Sequence, residues 1–277
     1  MPQIGRINKL NVLRAFDYGF YLDGSELGEI LLPRREAPPD CAVGSTIEAF
    51  VFPDNDDTLV ATRHRPYAQA GEFAYLKVVA VNSYGVFVDW GLSKNLLVPF
   101  NEQYDEMEEG RSYLVYVYLD QRTHRMVGST RIEKFLTQEA PHYRRHQQVD
   151  LLLCEHTDIG YKAIVDNRYW GVLHDTDVFQ PIRRGARVTG YVKKVRPDGK
   201  LDLVLQKPGY DKVDDIAANI LARIKSSGGF VGITDKSPPE RIYATFGVSK
   251  KAFKMAISAL YRERLIVIEP DGLRVVR

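Results

Sequence analysis

Two short stretches set aromatic rings three residues apart around a glycine: Tyr84-Gly85-Val86-Phe87 and Tyr18-Gly19-Phe20-Tyr21. Exposed together, such a pair offers two planar faces on which unpaired nucleobases stack, for about 1–3 kcal/mol per base and with little regard to sequence. Residues three apart in a regular strand face opposite ways. The sequence therefore predicts a kink or bulge at the glycine that brings both rings to one outer face. The competing reading of each ring is a core position, and the repeated glycine-linked pair argues against it for Tyr84. A second chemistry is phosphate binding. Arg183, Arg184, Arg187, Lys193, Lys194, Arg196 and Lys200 crowd a short stretch, with Arg187 set apart from some of the others by strand alternation. The alternative for this cluster is a solvated surface.

Catalytic constellations are absent from the sequence pattern. There is no phosphate-cradling glycine-rich loop, no HExxH and no cysteine pair. His142 and His146 in HYRRH are spaced to hold a metal on a helix, but no third ligand accompanies them and a helical linker is the favoured reading. The paired acids Asp56-Asp57, Glu108-Glu109 and Asp214-Asp215 are commonplace on solvated turns. The expectation is a binding protein without catalytic residues, metal or cofactor.

The elements that must position these residues come in repeats. Taking Gly19, Gly85 and Ile159-Gly160 as origins, a second glycine follows 25 residues later, at Gly44, Gly110 and Gly185. Between them lie ILLP, LLVP and GVLH, whose last residues Pro33, Pro99 and His174 each fall 14 after the first glycine. Alternating apolar strands follow each second glycine. Turns at Pro53-Asp54-Asn55, Asp120-Gln121-Arg122-Thr123 and Pro197-Asp198-Gly199 lead into last strands TLVATR, RMVGSTR and KLDLVLQ. About five short strands in roughly 60 residues suggest a small barrel of the OB type.

After Gly209 the period changes. Ile216, Ile220, Leu221 and Ile224 recur at helical spacing, and Gly228-Gly229 ends that helix. A second helix begins at SPPERIY, with Ser237 as its cap, and Ser249 caps a third whose Phe253, Ala256, Ile257, Leu260 and Tyr261 form one apolar face. LIVIE, a Pro270-Asp271-Gly272 turn and LRVV make a hairpin. Three helices and a hairpin give the winged-helix order. Lys250, Lys251 and Lys254 occupy the first half of the third helix, where a recognition helix meets DNA, and Arg274 and Arg277 lie on or after the wing. RNA or protein contact by the same lysines is the alternative.

Composition is that of an ordinary soluble chain of 277 residues, with 44% hydrophobic and 27% charged residues. Cys41 and Cys154 share no motif, which fits a reducing compartment. No apolar run approaches a membrane span and the N-terminus shows no leader pattern, so the expected location is cytoplasmic. The net charge of +2 is unevenly spread: residues 1–67 carry 7 Lys+Arg against 10 Asp+Glu, and residues 210–277 carry 12 against 8. A polyanion would be drawn to the C-terminal half first.

These features resemble the S1 RNA-binding domain, whose first hairpin carries aromatic-Gly-x-aromatic, followed by a Leu-Val-His segment and a glycine-led strand pair ending in a basic residue. The second repeat matches best, through Val79, Tyr84-Gly85-Val86-Phe87-Val88-Asp89, Leu97-Val98, Gly110 and Arg131. Three such repeats before a winged helix resemble the bacterial YitL family, also called conserved virulence factor B, over essentially the whole chain. The resemblance implies cytoplasmic RNA binding and, in some bacteria, effects on virulence-gene expression. It also implies that Arg125 contacts phosphate and that Asp120 accepts from a base or a 2′-OH. Lys200 takes the matching basic position, and Arg63 and Arg131 are either phosphate contacts or solvated strand ends. The family histidine is replaced by Pro33 and Pro99. It survives only as His174, in the repeat whose aromatics have become Ile159 and Lys162. No repeat keeps a complete S1 surface, and His174 reads as a polar rim residue.

The expectation is a multidomain, mainly β protein. Three tandem five-stranded S1/OB-type barrels cover 1–66, 67–146 (with the helical linker) and 147–209, and an α+β winged-helix domain covers 210–277. Its expected partner is single-stranded RNA, in a post-transcriptional regulatory role. A winged-helix DNA-binding regulator, or a scaffold docking on ribosome or polymerase components, is the alternative.

Overall fold

The computed structural model describes residues 1–54, 58–137, 139, 141–178, 182–205 and 213–276. Asn55, Asp56-Asp57, Gly209 and Arg277 lie outside the described residues, as do the side chains of Asp214-Asp215. The chain divides into two compact units, Met1–Thr137 and Gln138–Arg277.

The first unit holds two closed five-stranded barrels. Barrel one comprises β1 (Arg6–Phe16), β2 (Gly19–Asp23), β3 (Glu29–Pro33), β4 (Thr46–Pro53) and β5 (Leu59–Thr62), in the order β1-β2-β3-β5-β4. Barrel two repeats it with β6 (Glu72–Asn82), β7 (Gly85–Asp89), β8 (Leu96–Pro99), β9 (Ser112–Leu119) and β10 (Met126–Ser129). The second unit contains barrel three, built from β11 (Gln148–Thr157), β12 (Gly160–Val165), β13 (Tyr169–His174), β14 (Arg187–Val195) and β15 (Leu201–Val204). In each barrel a parallel pair closes the cylinder: β3 with β5, β8 with β10, β13 with β15.

The repeated glycines account for this geometry. Gly19, Gly85 and Gly160 are the register partners of Pro33, Pro99 and His174, which explains the constant spacing. A Cβ on Gly85 would sit 2.5 Å from the Val98 carbonyl oxygen, and one on Gly19 would sit 2.5 Å from that of Leu32. At Gly160 the Leu173 carbonyl is in the way. Glycine is therefore required for two strands to approach closely. The expected bulge lies elsewhere, on the long first strand of each repeat: between Val12 and Arg14, Val78 and Ala80, and Leu153 and His156. The second glycine serves that bulge. The Gly44, Gly110 and Gly185 amides donate to the carbonyls of Val12, Val78 and Leu153, at 2.8, 3.0 and 2.7 Å. The first strand can thus bend and pair on both sides, which is what closes a small sheet.

Barrels one and two share a core. In β4 the run Ala49-Phe50-Val51-Phe52 is buried throughout. Ala49 and Val51 pack inside barrel one, whereas Phe50 and Phe52 pack in a cluster with Trp90, Leu96 and Met126 of barrel two. The Phe50 and Trp90 rings meet edge-on at 5.7 Å. Each such fully buried large side chain contributes about 1.5–3 kcal/mol. Polar contacts reinforce the joint: Arg6 pairs with Glu72 at 3.2 Å, and the Gln69 side chain accepts from the Ile7 amide at 2.7 Å.

Among the described residues the expected helical linker is not found at HYRRH. Described residues 141–147 form no helix, and the His146 backbone has φ of 68°. The Gln147 side-chain oxygen accepts from the Arg144 amide, and the His146 amide donates to the Val192 carbonyl, so the segment turns into β11. His142 and His146 therefore lack the helical spacing a shared metal would need. Among the described residues no group of three metal-ligating side chains converges.

The C-terminal region is a winged helix: α1 (Val213–Ser226), β16 (Phe230–Val231), α2 (Pro239–Phe246), α3 (Lys250–Arg262), β17 (Ile266–Glu269) and β18 (Gly272–Val275). Ile216, Ile220, Ile224, Ile242, Phe253, Ile257 and Leu260 form its core with Ile266 and Leu273 of the wing. Ser249 caps α3, its hydroxyl accepting from the Ala252 amide at 3.2 Å. Three details differ from the sequence expectation. Pro238, not Ser237, occupies the cap of α2, and the Ser237 hydroxyl instead accepts from the Thr234 amide. Tyr261 is 55% exposed and lies off the apolar face. The two-residue β16 joins the wing by pairing with β18, and such a short strand leaves no periodic signal.

Gly85→Ala is expected to destabilise the chain by about 2–4 kcal/mol in urea unfolding, because the added carbon meets a backbone oxygen. Gly110→Ala, with φ of 82° and open space around it, is expected to cost about 1 kcal/mol, from backbone strain alone. Equal losses at the two positions would contradict the close-approach account.

Candidate nucleic-acid interface

Strand alternation decides which side chains leave barrel two. In β7, Val86 and Val88 point inward and are buried, so Phe87 faces out, half-buried. Tyr84 is not in the strand. Asn82 pairs with Gly85, which leaves Ser83 and Tyr84 as the hairpin turn, and Tyr84 is 76% exposed. The two rings reach one side because the turn, not a kink at Gly85, places Tyr84.

Both rings line a groove of about 860 Å³. Asp120, Arg122, Thr123 and Arg125 of the β9–β10 turn line it, as do Tyr118 from β9 and Lys94 from the β7–β8 loop. Phe52, Pro53 and Asp54 of barrel one supply a further wall, and Asp54 pairs with Lys94. Four of the residues expected at a site, Tyr84, Phe87, Asp120 and Arg125, are thus brought together. Tyr118, Lys94 and Arg122 were not anticipated. Arg122 lies in the same turn as Asp120, and Tyr118 stands in the alternating run SYLVYVYL, but Lys94 has no counterpart in the other repeats. Arg131 is exposed beyond β10 and does not line the groove.

The turn is braced from within. Asp120 accepts from the Thr123 hydroxyl at 2.7 Å and from the Arg122 amide at 3.2 Å, while its own amide donates to the Arg125 carbonyl at 2.9 Å. The Thr123 hydrogen bond holds the Asp120 carboxyl below the usual aspartate range. Burial pushes the Tyr118 phenol up to about 12, with Glu102 and Asp120 adding to the effect, so it remains a neutral donor. The groove therefore offers two ring faces, a phenol, the cations Lys94, Arg122 and Arg125, and the carboxylates of Asp54, Glu102 and Asp120, with Asp54 already paired to Lys94 and Glu102 to Lys134. That combination suits unpaired bases on a phosphate backbone.

In barrel one Tyr18 and Tyr21 also meet, hydroxyl to hydroxyl at 3.3 Å with rings edge-on at 6.3 Å. Phe16 stacks on Tyr18 at 5.5 Å, and the Arg14 guanidinium lies 5.5 Å from the Tyr21 ring centre. Arg14 itself pairs with Glu29. Phe16 and Arg14 come from the end of β1, beside the bulge, where the glycine motif gives no hint of them.

Barrel three spends much of its charge internally. Lys193 pairs with Asp177 at 2.6 Å, Arg196 with Asp198 at 3.1 Å, and His174 with Asp202 at 3.1 Å. Lys162, at the position of the second aromatic, pairs with Glu155 at 3.0 Å and lies over Trp170. Lys194, Lys200 and Arg187 are exposed. Lys193 falls within the register shift of β14, which separates it from Lys194. In the winged helix, the Lys250 ammonium donates to the Ser237 carbonyl at 2.9 Å, and Lys254 lies 3.8 Å from Asp235. Lys251 is exposed. Arg274 makes a two-pronged pair with Glu269, at 2.7 and 3.1 Å, and packs over Phe230.

Family models and relatives by sequence agree with this architecture. A family model for the S1 domain matches residues 4–64 and 70–131, on barrels one and two, and one for the CvfB-like winged helix domain matches 218–275. YitL of Bacillus subtilis (strain 168) is 29% identical over 264 residues, covering 91% of this chain and 87% of YitL. Conserved virulence factor B of Staphylococcus saprophyticus is 24% identical over 283 residues, covering 99% and 95%. A crystal structure of a multidomain protein with nucleic acid binding domains from Streptococcus pneumoniae TIGR4 aligns over 99% of this chain and 98% of its own, at 22% identity and a TM-score of 0.40.

The molecule is a tandem S1-type barrel protein with a C-terminal winged helix, both of them nucleic-acid-binding domain classes. Over most of its length it is a homologue of YitL and of conserved virulence factor B.

Thr123→Val is expected to raise the protonation midpoint of Asp120 toward the ordinary aspartate value of about 3.9, read by side-chain carboxyl NMR. An unchanged midpoint would remove Thr123 as the brace of the groove turn.

Proposed function

We propose that the chain binds single-stranded RNA, with barrel two as its base-holding module, and acts as a post-transcriptional regulator in the cytoplasm. The observation that carries this reading is the convergence of Tyr84 and Phe87 with Asp120, Arg122, Arg125 and Lys94 on one groove. Ring faces select unpaired bases, because bases in a duplex are already stacked. The Asp120 carboxylate, held further below the usual aspartate range by its Thr123 contact, accepts from a base amino group or a 2′-OH. Arg122 and Arg125 hold phosphates, with Lys94 available once its pair with Asp54 opens. Arg131, the Tyr18–Tyr21 pair, His174, Arg187, Lys193, Lys194 and Lys200 extend the surface as secondary contacts. Binding, without a chemical step, is the proposed activity. The relatives' name, conserved virulence factor B, fits a regulatory role, and two cysteines that share no motif, Cys41 and Cys154, fit a reducing compartment.

DNA reading by the winged helix receives less support. Lys250 and Arg274 are engaged with Ser237 and Glu269, and of the two exposed lysines, Lys251 and Lys254, the second lies 3.8 Å from Asp235.

The test is a titration of labelled oligo-U, oligo-A and duplex DNA by wild type and by Tyr84→Ala/Phe87→Ala, at two salt concentrations. The double variant is expected to weaken oligo-U binding by about 10-fold or more, from the roughly 1–3 kcal/mol of stacking per base. The salt slope of the variant is expected to stay close to that of wild type, because phosphate contacts are kept. Undiminished RNA binding by the double variant rejects the platform. Tighter binding to duplex than to oligo-U rejects the single-strand reading.

A further inference from the structure

Barrel two carries a second depression, of about 360 Å³, that shares no lining residue with the nucleic-acid groove. Val81, Val86, Phe100, Gln103, Tyr104 and Met107 line it, with Asp105 and Glu106 at its rim. Phe100 is 53% exposed and Tyr104 is 74% exposed, beside a half-exposed Val81. Exposed aromatics grouped over an apolar depression commonly mark an interaction site.

The backbone that presents these rings is pinned. The Gln103 side-chain amide donates to the Val98 carbonyl at 3.0 Å and is buried. The Thr130 amide donates to the Glu102 carbonyl at 2.9 Å, and the Tyr104 amide donates to the Thr130 hydroxyl at 2.8 Å. Met107 is buried in the shared core, and the Glu108 amide donates to the Tyr113 hydroxyl at 2.9 Å. Presentation on a rigid loop reduces the ordering cost of binding.

Charge decides what the surface can accept. Residues 100–109 contain Glu102, Asp105, Glu106, Glu108 and Glu109 and no Lys or Arg. Glu102 pairs with Lys134 and Glu108 with Arg111, each at 3.1 Å. Among the described residues no ion pair engages Asp105, Glu106 or Glu109. A phosphate backbone is repelled here, whereas a cationic chain is attracted.

We propose that this face docks an extended, Lys/Arg-rich segment of a partner protein, with an apolar side chain of that segment seated between Phe100 and Tyr104. The face would tether the molecule to a basic protein while the separate groove remains open to nucleic acid.

The experiment is fluorescence anisotropy with the labelled peptide Lys-Arg-Leu-Lys-Arg-Phe-Lys-Arg and an oligo-U, each titrated with the full chain. Two variants are compared with wild type: Phe100→Ser/Tyr104→Ser, and Asp105→Asn/Glu106→Gln, both confined to exposed positions. Each is expected to weaken peptide binding by about 10-fold or more and to leave oligo-U affinity unchanged. Peptide binding equal to wild type in both variants overturns the proposal. Joint loss of peptide and oligo-U binding assigns the face to the nucleic-acid surface and overturns it as well. A concentration-dependent dimer in sedimentation, abolished by either variant, assigns the face to a second copy of the chain and overturns it too.

Discussion

The architecture depends on one repeated constraint: a strand must pass so close to its neighbour's carbonyl that no side chain fits between them. At Gly85 a Cβ would come within 2.5 Å of the Val98 oxygen, and Gly19 and Gly160 stand in the same relation to Leu32 and Leu173. This contact draws the second and third strands together at the mouth of the first hairpin. The second glycine, 25 residues on, closes its loop onto the bulged first strand, so that a sheet of only five short strands can curl into a cylinder. The same constraint sets the surface. With the glycine held at the start of β7, the turn before it projects Tyr84, and the second outward position of the strand projects Phe87.

Three copies of this scaffold carry three different surfaces. In barrel one the rings of Phe16, Tyr18 and Tyr21 pack on one another under Arg14, so a base would have to compete with contacts already made. In barrel three Lys162, Lys193 and Arg196 are paired with acids, which reduces their attraction for phosphate. Barrel two has an open groove, and barrel one supplies one of its walls. The reason is the buried outer face of β4: Phe50 and Phe52 lock the first two barrels into one unit and bring Pro53 and Asp54 to the groove.

Much of this was legible in the sequence. Periodicity separated strands from helices, and the glycine offsets reported the barrel repeat because they reflect a backbone contact that only glycine permits. Tyr84 and Phe87 were legible from their spacing around the repeated glycine, and Asp120 and Arg125 from the resemblance to S1 domains. Other features were not. The bulge was assigned to Gly85 because sequence does not show which of two paired strands bends. The unbroken apolar run Ala49-Phe50-Val51-Phe52 signals burial on both faces, but not against what. Lys94 and Phe16 enter their clusters from loops and strand ends with no shared spacing. The supposed helix at HYRRH failed because a four-residue spacing of histidines says nothing about the backbone between them, which here turns at His146.

The most direct measurement is photocrosslinking of an oligo-U carrying 4-thiouridine to the full chain, followed by mapping of the adducts. The account predicts adducts concentrated on Tyr84, Phe87 and the Asp120–Arg125 turn of barrel two. Adducts confined to residues 147–276, with none on barrel two, would contradict it.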